Sequence, residues 1–128
     1  MDLNIPRIGR LNGYASVTSG TPVATIVAPT ANTGGIIIRT CQLQIFQGTA
    51  QNTMALYVDT TAPANVTDVV RRVILIATNT GLTASTTFTT QLPYPLYIDP
   101  GFGLWLAGGT TGNGGSVVMT YDLPGLTG

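Results

Sequence analysis

The chain has 128 residues and a formal net charge of +0, and charged residues make up only 8 % of it. Five Arg balance five Asp, and His, Lys and Glu are absent, so the usual proton carrier, Schiff-base amine and phosphate-loop ammonium are missing. We therefore expect no enzyme, no cofactor and no nucleic-acid partner, but a neutral, Thr-rich surface that associates with copies of itself or with another protein.

Residues 1–13 are predicted to form an extended N-terminal arm, because a proline and two glycines interrupt any regular alternation. We expect this arm to lie on a neighbouring subunit, with Ile5, Arg7 and Arg10 as contacts and with carboxylates there meeting the guanidinium groups. A frayed terminus is the alternative. The first residues lack a basic head with an apolar core behind it, so no secretory signal is predicted. No apolar run approaches the length of a membrane span.

Residues 14–122 are predicted to form one β-sandwich domain. From Thr40 to Phe46 apolar and polar residues alternate, which puts Cys41, Leu43 and Ile45 on one face of a strand. A free cysteine in this setting packs as a small hydrophobic residue, since a reactive thiolate needs a cationic neighbour. We therefore place Cys41 in the core.

A second strand is predicted at Val69–Thr78, where β-branched and other apolar residues dominate. Such a run indicates a strand covered on both faces, either in a sandwich or at a subunit contact. Arg71 and Arg72 point to opposite faces of this strand and cannot form one basic patch. We expect one of them to pair with an Asp at a contact surface. Further strands are predicted at Tyr14–Thr18, Pro22–Ala28, Met54–Asp59, Thr83–Thr90, Pro95–Ile98, Leu104–Ala107 and Ser116–Asp122.

Turn residues separate these strands, and no segment has the apolar spacing of a helix over three turns. Short strands broken by frequent turns predict an all-β, antiparallel sandwich, jelly roll or barrel, and a count of about eight strands favours the jelly roll. The Gly-rich run at 108–115 is predicted to be a hairpin tip between Leu104–Ala107 and Ser116–Asp122. Residues 123–128 are expected to form a C-terminal tail.

Aspartates are the only carboxylate side chains of the chain. Asp59, Asp68, Asp99 and Asp122 lack the alternate spacing of a calcium loop, so no metal site is predicted from the pattern. Convergence of two of them at one end of the sandwich remains open. A hydrolase would need two Asp as its acid and base, which makes it the third choice behind two binding roles.

Aromatic residues cluster in a proline-rich stretch that contains Tyr94, Tyr97, Phe102 and Trp105. Tyr and Trp are enriched both in cores and at protein contacts, and we expect these four to make core or subunit contacts. Stacking on a carbohydrate is the alternative, and it requires Trp105 or Tyr97 to be exposed on a concave face with polar neighbours.

From Leu92 to Leu123 a proline-flanked apolar strand leads into a Pro-Gly-aromatic turn, a second apolar strand that ends in small residues, and a last strand. These parts are Leu96–Ile98, Pro100–Phe102, Leu104–Ala107 and Val117–Tyr121. The arrangement resembles small virion structural proteins of tailed bacteriophages, and the upstream stretch from Ile45 to Asp59 fits the same style.

The resemblance implies a β-sandwich or jelly-roll subunit of a phage particle, assembled in the host cytoplasm and located in the virion. It further implies a homo-oligomeric capsid decoration (cement) protein that binds the major capsid protein or other virion proteins. A collar, tail or fibre component is the alternative within the same family, and a carbohydrate-binding module is the alternative outside it. The resemblance brings no catalytic residues.

Overall fold

The computed structural model describes residues 7–18, 21–45, 52–79, 88–108 and 114–127. Most of the regular structure in these ranges is β-strand. A 3₁₀ turn at Pro29–Ala31 follows the second strand, and a short helix, α1 (Pro124–Thr127), follows the last. The strands in chain order are β1 (Leu11–Val17), β2 (Val23–Val27), β3 (Ile36–Ile45), β4 (Asn52–Asp59), β5 (Arg72–Asn79), β6 (Phe88–Gln91), β7 (Leu96–Ile98), β8 (Gly103–Gly108) and β9 (Gly115–Asp122).

These strands form two antiparallel sheets that pack face to face. The first sheet has the order β1-β9-β3-β6, with β7 also paired to β3, and the second has the order β2-β8-β4-β5. The pairs β1–β9, β2–β8, β3–β6 and β4–β5 nest inside one another along the chain, like a long hairpin rolled into two layers. This strand order is that of a jelly roll, so the predicted fold class is confirmed.

The strands β6 and β7 share one position in the first sheet. β6 pairs with the C-terminal half of β3, and β7 pairs with its N-terminal end at Ile36–Ile38. Pro93 and Pro95 lie between the two strands, and a proline cannot donate a hydrogen bond to a strand ladder. The strand is therefore interrupted there, and nine strands fill the eight positions of the jelly roll.

Alternate residues of the central strands build the core between the sheets. Cys41, Leu43 and Ile45 of β3 are buried, as the alternation predicts, and Val117 and Met119 of β9 pack beside them. The second sheet contributes Met54, Leu56, Leu104 and Leu106, all without solvent exposure. Full burial of each such side chain favours folding by about 1.5–3 kcal/mol, so this layer supplies most of the driving force for the sandwich.

The predicted hairpin around the Gly-rich run is wrong. β8 pairs with β2 and β4 in the second sheet, whereas β9 pairs with β1 and β3 in the first. The connection between β8 and β9 therefore crosses from one sheet to the other, as the jelly-roll order requires. Residues 109–113 lie outside the described ranges.

The strand predicted at Val69–Thr78 is fully covered by the described part of its own chain on one face only, and cover of the other face by a second subunit stays a prediction. The strand begins only at Arg72, and β5 lies at the edge of the second sheet, paired with β4. Its inward residues Ile74 and Leu75 pack on the core, but Val73 and Ile76 are 40 % and 57 % exposed. Nothing in the described part of the chain covers this outward side fully.

Both ends of the described chain join the sandwich. β1 begins at Leu11, so the last three residues of the predicted arm belong to the sheet. Before it, the Gly9 amide donates to Thr120 Oγ1 at 3.0 Å, and a Cβ at Gly9 would collide with the Tyr121 backbone. At the other end Leu123 is buried in the core. The arm as a separate segment is therefore shorter than predicted.

Candidate interaction surface

A groove of about 310 Å³ opens between the two sheets where β5 and β7 face each other. Its walls are mostly apolar, and Arg72, Tyr97 and Asp99 bring polar atoms to it. The lining residues are Val58, Arg72, Ile74, Leu96, Tyr97, Ile98, Asp99 and Phe102. Tyr97 and Phe102, two of the four aromatic contact candidates from the sequence, therefore both line this groove.

A turn shaped by Pro100 and Gly101 positions Asp99 and Phe102 at this groove. Gly101 has a φ of +87°, the left-handed conformation that glycine adopts freely at the third position of a type II turn. Buried Asn32 holds the turn, since its Nδ2 donates to Asp99 O at 2.8 Å and to Phe102 O at 2.9 Å. The Gly101 amide in turn donates to Asn32 O at 2.9 Å.

Arg72, the first residue of β5, lines the groove and contacts both a carboxylate and an aromatic ring. Its Nη1 lies 3.1 Å from Asp59 Oδ2, and its guanidinium lies over the Phe102 ring at 5.4 Å from the centroid. The Asp59 carboxylate accepts the Thr60 amide at 2.7 Å, and this hydrogen bond, together with the Arg72 amide and charge, lowers the pKa of Asp59 below its usual value. The pair stays ionised at neutral pH.

Arg71 pairs with a different carboxylate. Its Nη1 lies 3.2 Å from Asp68 Oδ2, and hydrogen bonds from the backbone amides of Arg71, Ala64 and Val70 lower the pKa of Asp68. Both arginines of the predicted strand therefore pair within the chain, whereas the sequence predicts such a pair for one of them at a contact surface.

Trp105 is buried, which fits the core alternative predicted for it and not the subunit-contact alternative. Its ring is only 4 % exposed and packs with Ala55, Tyr57 and Ala107 on the outer face of the second sheet. The loop 60–71 covers this cluster, because the Tyr57 hydroxyl donates to Asp68 O at 2.8 Å and Val66 packs on it. The carbohydrate alternative therefore loses one of its two aromatic platforms.

Of the three remaining aromatic candidates, two are exposed and one is half-buried. Tyr94 and Tyr97 are 64 % and 54 % exposed, whereas Phe102 is half-buried and packs partly against the core. Tyr97 lies beside the groove with Arg72 and Asp99. The proline-rich stretch thus presents two tyrosines that a partner could contact.

The predicted arm residues fall into three situations. Ile5 lies outside the described ranges, and Arg7 is exposed. The Arg10 amide donates to Asp122 Oδ1 at 2.8 Å, while Arg39 Nε lies 3.1 Å from Asp122 Oδ2. These hydrogen bonds and the positive charges of Arg39 and Arg10 lower the pKa of Asp122. Arg10 therefore lies near a carboxylate of its own chain, where a neighbour's carboxylate was expected.

The Cys41 thiol is buried, and burial raises its pKa from 9.0 to about 12. It is therefore protonated at neutral pH and is not a nucleophile there. In the ranges that the structure describes, no three potential ligand side chains (His, Cys, Asp or Glu) come together as a metal site. No helix among the described residues is long and apolar enough to span a membrane.

Sequence reasoning missed the open edge at β5. An apolar run predicts a buried strand, but the pattern does not say which strand of a sheet lacks a neighbour. The exposed pair Val69 and Val70, 92 % and 80 % exposed, precedes this strand. This exposure is visible only in the structure, so the sequence itself does not mark β5 as the edge strand.

Comparisons with known proteins leave the family of the chain open. No protein-family model matches it, and no curated protein matches it. Among solved structures the chain is similar to Eiger, a TNF from S. frugiperda, with a TM-score of 0.40 and 11 % sequence identity. The similarity covers 82 % of this chain and 68 % of that one. The strand order described above, not this likeness, defines the fold.

Proposed function

We propose that the chain is a non-enzymatic structural protein of a phage particle, and that it acts as an oligomeric decoration protein on the capsid. The observation that carries the proposal is the surface of the sandwich. Large apolar side chains are exposed on β1, β5, β7 and β9 and in the loops before β5 and β7, on a chain in which only 8 % of residues are charged.

Such a surface favours contacts with other protein subunits over a monomeric state in solution. A net charge near zero favours association, and contiguous exposed apolar residues mark interaction sites. The jelly roll is an architecture that viral capsid domains use. The sequence resemblance to small phage virion proteins is independent support for the same role.

The proposed mechanism is binding energy alone. A protein that binds only the assembled shell stabilises that shell by an amount that grows with the logarithm of its free concentration over Kd. At a concentration of 100 times Kd this is about 2.7 kcal/mol for each site. Contacts repeated over a lattice then protect the particle without any chemical step.

Truncation of the N-terminal segment tests the role of the arm. Since the Gly9 and Arg10 amides bond to β9, we remove residues 1–8 and leave Gly9 in place. We expect the truncated chain to keep the thermal unfolding midpoint of the full chain within about 2 °C and to lose at least tenfold in affinity for particles stripped of this protein.

The matched control replaces residues 1–8 by eight Gly and Ser residues, so that length is kept and the Ile5 and Arg7 side chains are lost. It should bind as weakly as the truncated chain. Undiminished particle binding by both variants, measured by co-sedimentation, would rule out the arm as a contact.

Carbohydrate binding is the second candidate, and the exposed Tyr97 beside Arg72 and Asp99 is the observation that favours it. An aromatic ring with a neighbouring donor and acceptor suits a sugar. The mostly aliphatic walls of the groove and the buried Trp105 weigh against it.

A further inference from the structure

We infer that the open edge of β5 pairs with β5 of a second copy of this chain, so that the two second sheets join into one continuous sheet. The inference deepens the proposed role of the chain as a self-associating subunit and rests on it. The backbone of the edge, the side chains along it and the symmetry of the pair support it in turn.

The edge offers an unpaired row of backbone groups. In the described part of the chain β5 pairs on one side, with β4, and an edge strand leaves alternate N–H and C=O groups free on its other side. Water satisfies such groups in the isolated chain, but among protein elements only another strand pairs with the whole row. The occupant is therefore an extended segment rather than a helix or a small molecule.

The other edges carry features that discourage pairing. β2 has five residues with a register shift after Thr25, and β6 has four residues and leads into the proline-containing stretch before β7. β1 presents mainly polar side chains outward, with Asn12 and Ser16 on either side of Tyr14. β5 also has a register shift, between Val73 and Leu75, but it has eight residues and no proline. Val73 and Ile76 put apolar side chains on its outward side.

Symmetry selects the register of the pair. A two-fold axis normal to the sheet keeps outward side chains outward, so it passes midway between one residue and its copy and puts that residue opposite itself in the partner. Ile76, at 57 % exposure, lies near the middle of β5 and faces outward beside Ala55. An axis at Ile76 buries its side chain against the same side chain of the partner.

The charges near β5 do not oppose pairing of the two β5 strands. No charged residue lies between Val73 and Asn79, and Arg72 at the strand start is held by Asp59. With the axis at Ile76, the two Arg72 residues lie eight residues apart along the joined strands, about 27 Å at 3.4 Å per residue. That separation is more than twice the screening length at physiological salt, so the copies do not repel each other there.

The first test is the mass of the isolated chain by light scattering and native mass spectrometry. We expect the wild type at twice the chain mass of 13.3 kDa and Ile76→Lys at the chain mass, with Kd raised at least tenfold. The control Val118→Lys changes a residue that is 56 % exposed on the other sheet and should leave the dimer intact. Circular dichroism checks that both variants are folded.

A second variant tests the register. In the proposed pair, the two thiols introduced by Ile76→Cys belong to residues whose Cα atoms lie about 4.5–5.5 Å apart, within the range of a disulfide. Oxidised glutathione should therefore cross-link them, taking up two electrons and two protons per bond. The buried Cys41 does not compete. In the control Thr78→Cys, the same register puts the two Cα atoms about 14 Å apart, which is too far.

A wild type that stays monomeric at high micromolar concentration would overturn the inference. So would an assembly whose mass Ile76→Lys leaves unchanged, an open-ended aggregate, or cross-linking of Thr78→Cys in preference to Ile76→Cys. All of these results concern the isolated chain, so they are separate from its presence in or absence from a phage particle.

Discussion

At the scale of single residues, the few charges of this chain are arranged in local pairs. Asp59, Asp68 and Asp122 each accept backbone amides and face an arginine of the same chain, which lowers the pKa of each carboxyl. Their partners are Arg72, Arg71 and Arg39, respectively. Since the pKa of each Asp is lower in the folded state, this stabilisation is present at neutral pH and is lost as the pH falls through the folded-state pKa values.

The Cys41 thiol gives the opposite dependence on pH. Burial raises its pKa from 9.0 to about 12, so the folded chain holds a proton that the unfolded chain releases above pH 9. The free energy of unfolding should therefore fall between pH 9 and 12, by at most about 1.4 kcal/mol per pH unit from this group.

Comparison with Cys41→Ala isolates this effect, because Tyr57 and Tyr121, whose pKa values are also raised, ionise in both chains. Urea unfolding at pH 7 and pH 10.5 measures it. The stability difference between wild type and variant should shrink as the pH rises. An unchanged difference would mean that the thiol is not buried as described.

At the scale of elements, periodicity predicted most of the strands. The alternation in β3 and β9 identified their buried faces, because each strand of a half-buried sheet records its surroundings in its own sequence. Which strands pair with each other, by contrast, does not follow from this periodicity. Leu104–Ala107 and Ser116–Asp122 are neighbours in sequence but lie in different sheets, because the jelly roll returns the chain to the other layer.

The surroundings of Trp105 show a second limit. The cover on its ring comes from the loop 60–71, some forty residues earlier, and from contacts of Tyr57 that no local pattern announces. The edge position of β5 likewise depends on which strands pair elsewhere. Of the aromatic residues expected in core or subunit contacts, Trp105 lies in a buried cluster, whereas Tyr94 and Tyr97 are exposed and their contact with a partner stays a prediction.

The turn at Asp99–Phe102 offers a test at this scale. Asn32→Ala removes two hydrogen bonds and leaves Asp99 O and Phe102 O without these donors, which should cost about 2–3 kcal/mol of unfolding free energy. Thr30→Ala, at an exposed position of the same 3₁₀ turn, should cost less than about 0.5 kcal/mol. Equal losses in chemical denaturation would contradict the role given to Asn32.

At the scale of the whole molecule, the chain combines a jelly-roll core with a surface that is poor in charge. The core is closed between the sheets, whereas the β5 edge, the groove and the exposed tyrosines remain open at the surface. The described part of the chain exposes large apolar side chains on both sheets. The proposed particle role rests on these side chains and on the low charge of the chain.

The copy number of the chain in purified phage particles tests the central proposal most directly. Quantitative mass spectrometry compares it with the copy number of the major shell protein. We predict a ratio of one to one or a simple fraction of it, as expected for a protein spread over the capsid lattice. A handful of copies per particle would contradict the decoration role and indicate a collar, tail or fibre, and absence from the particle would contradict the virion role altogether.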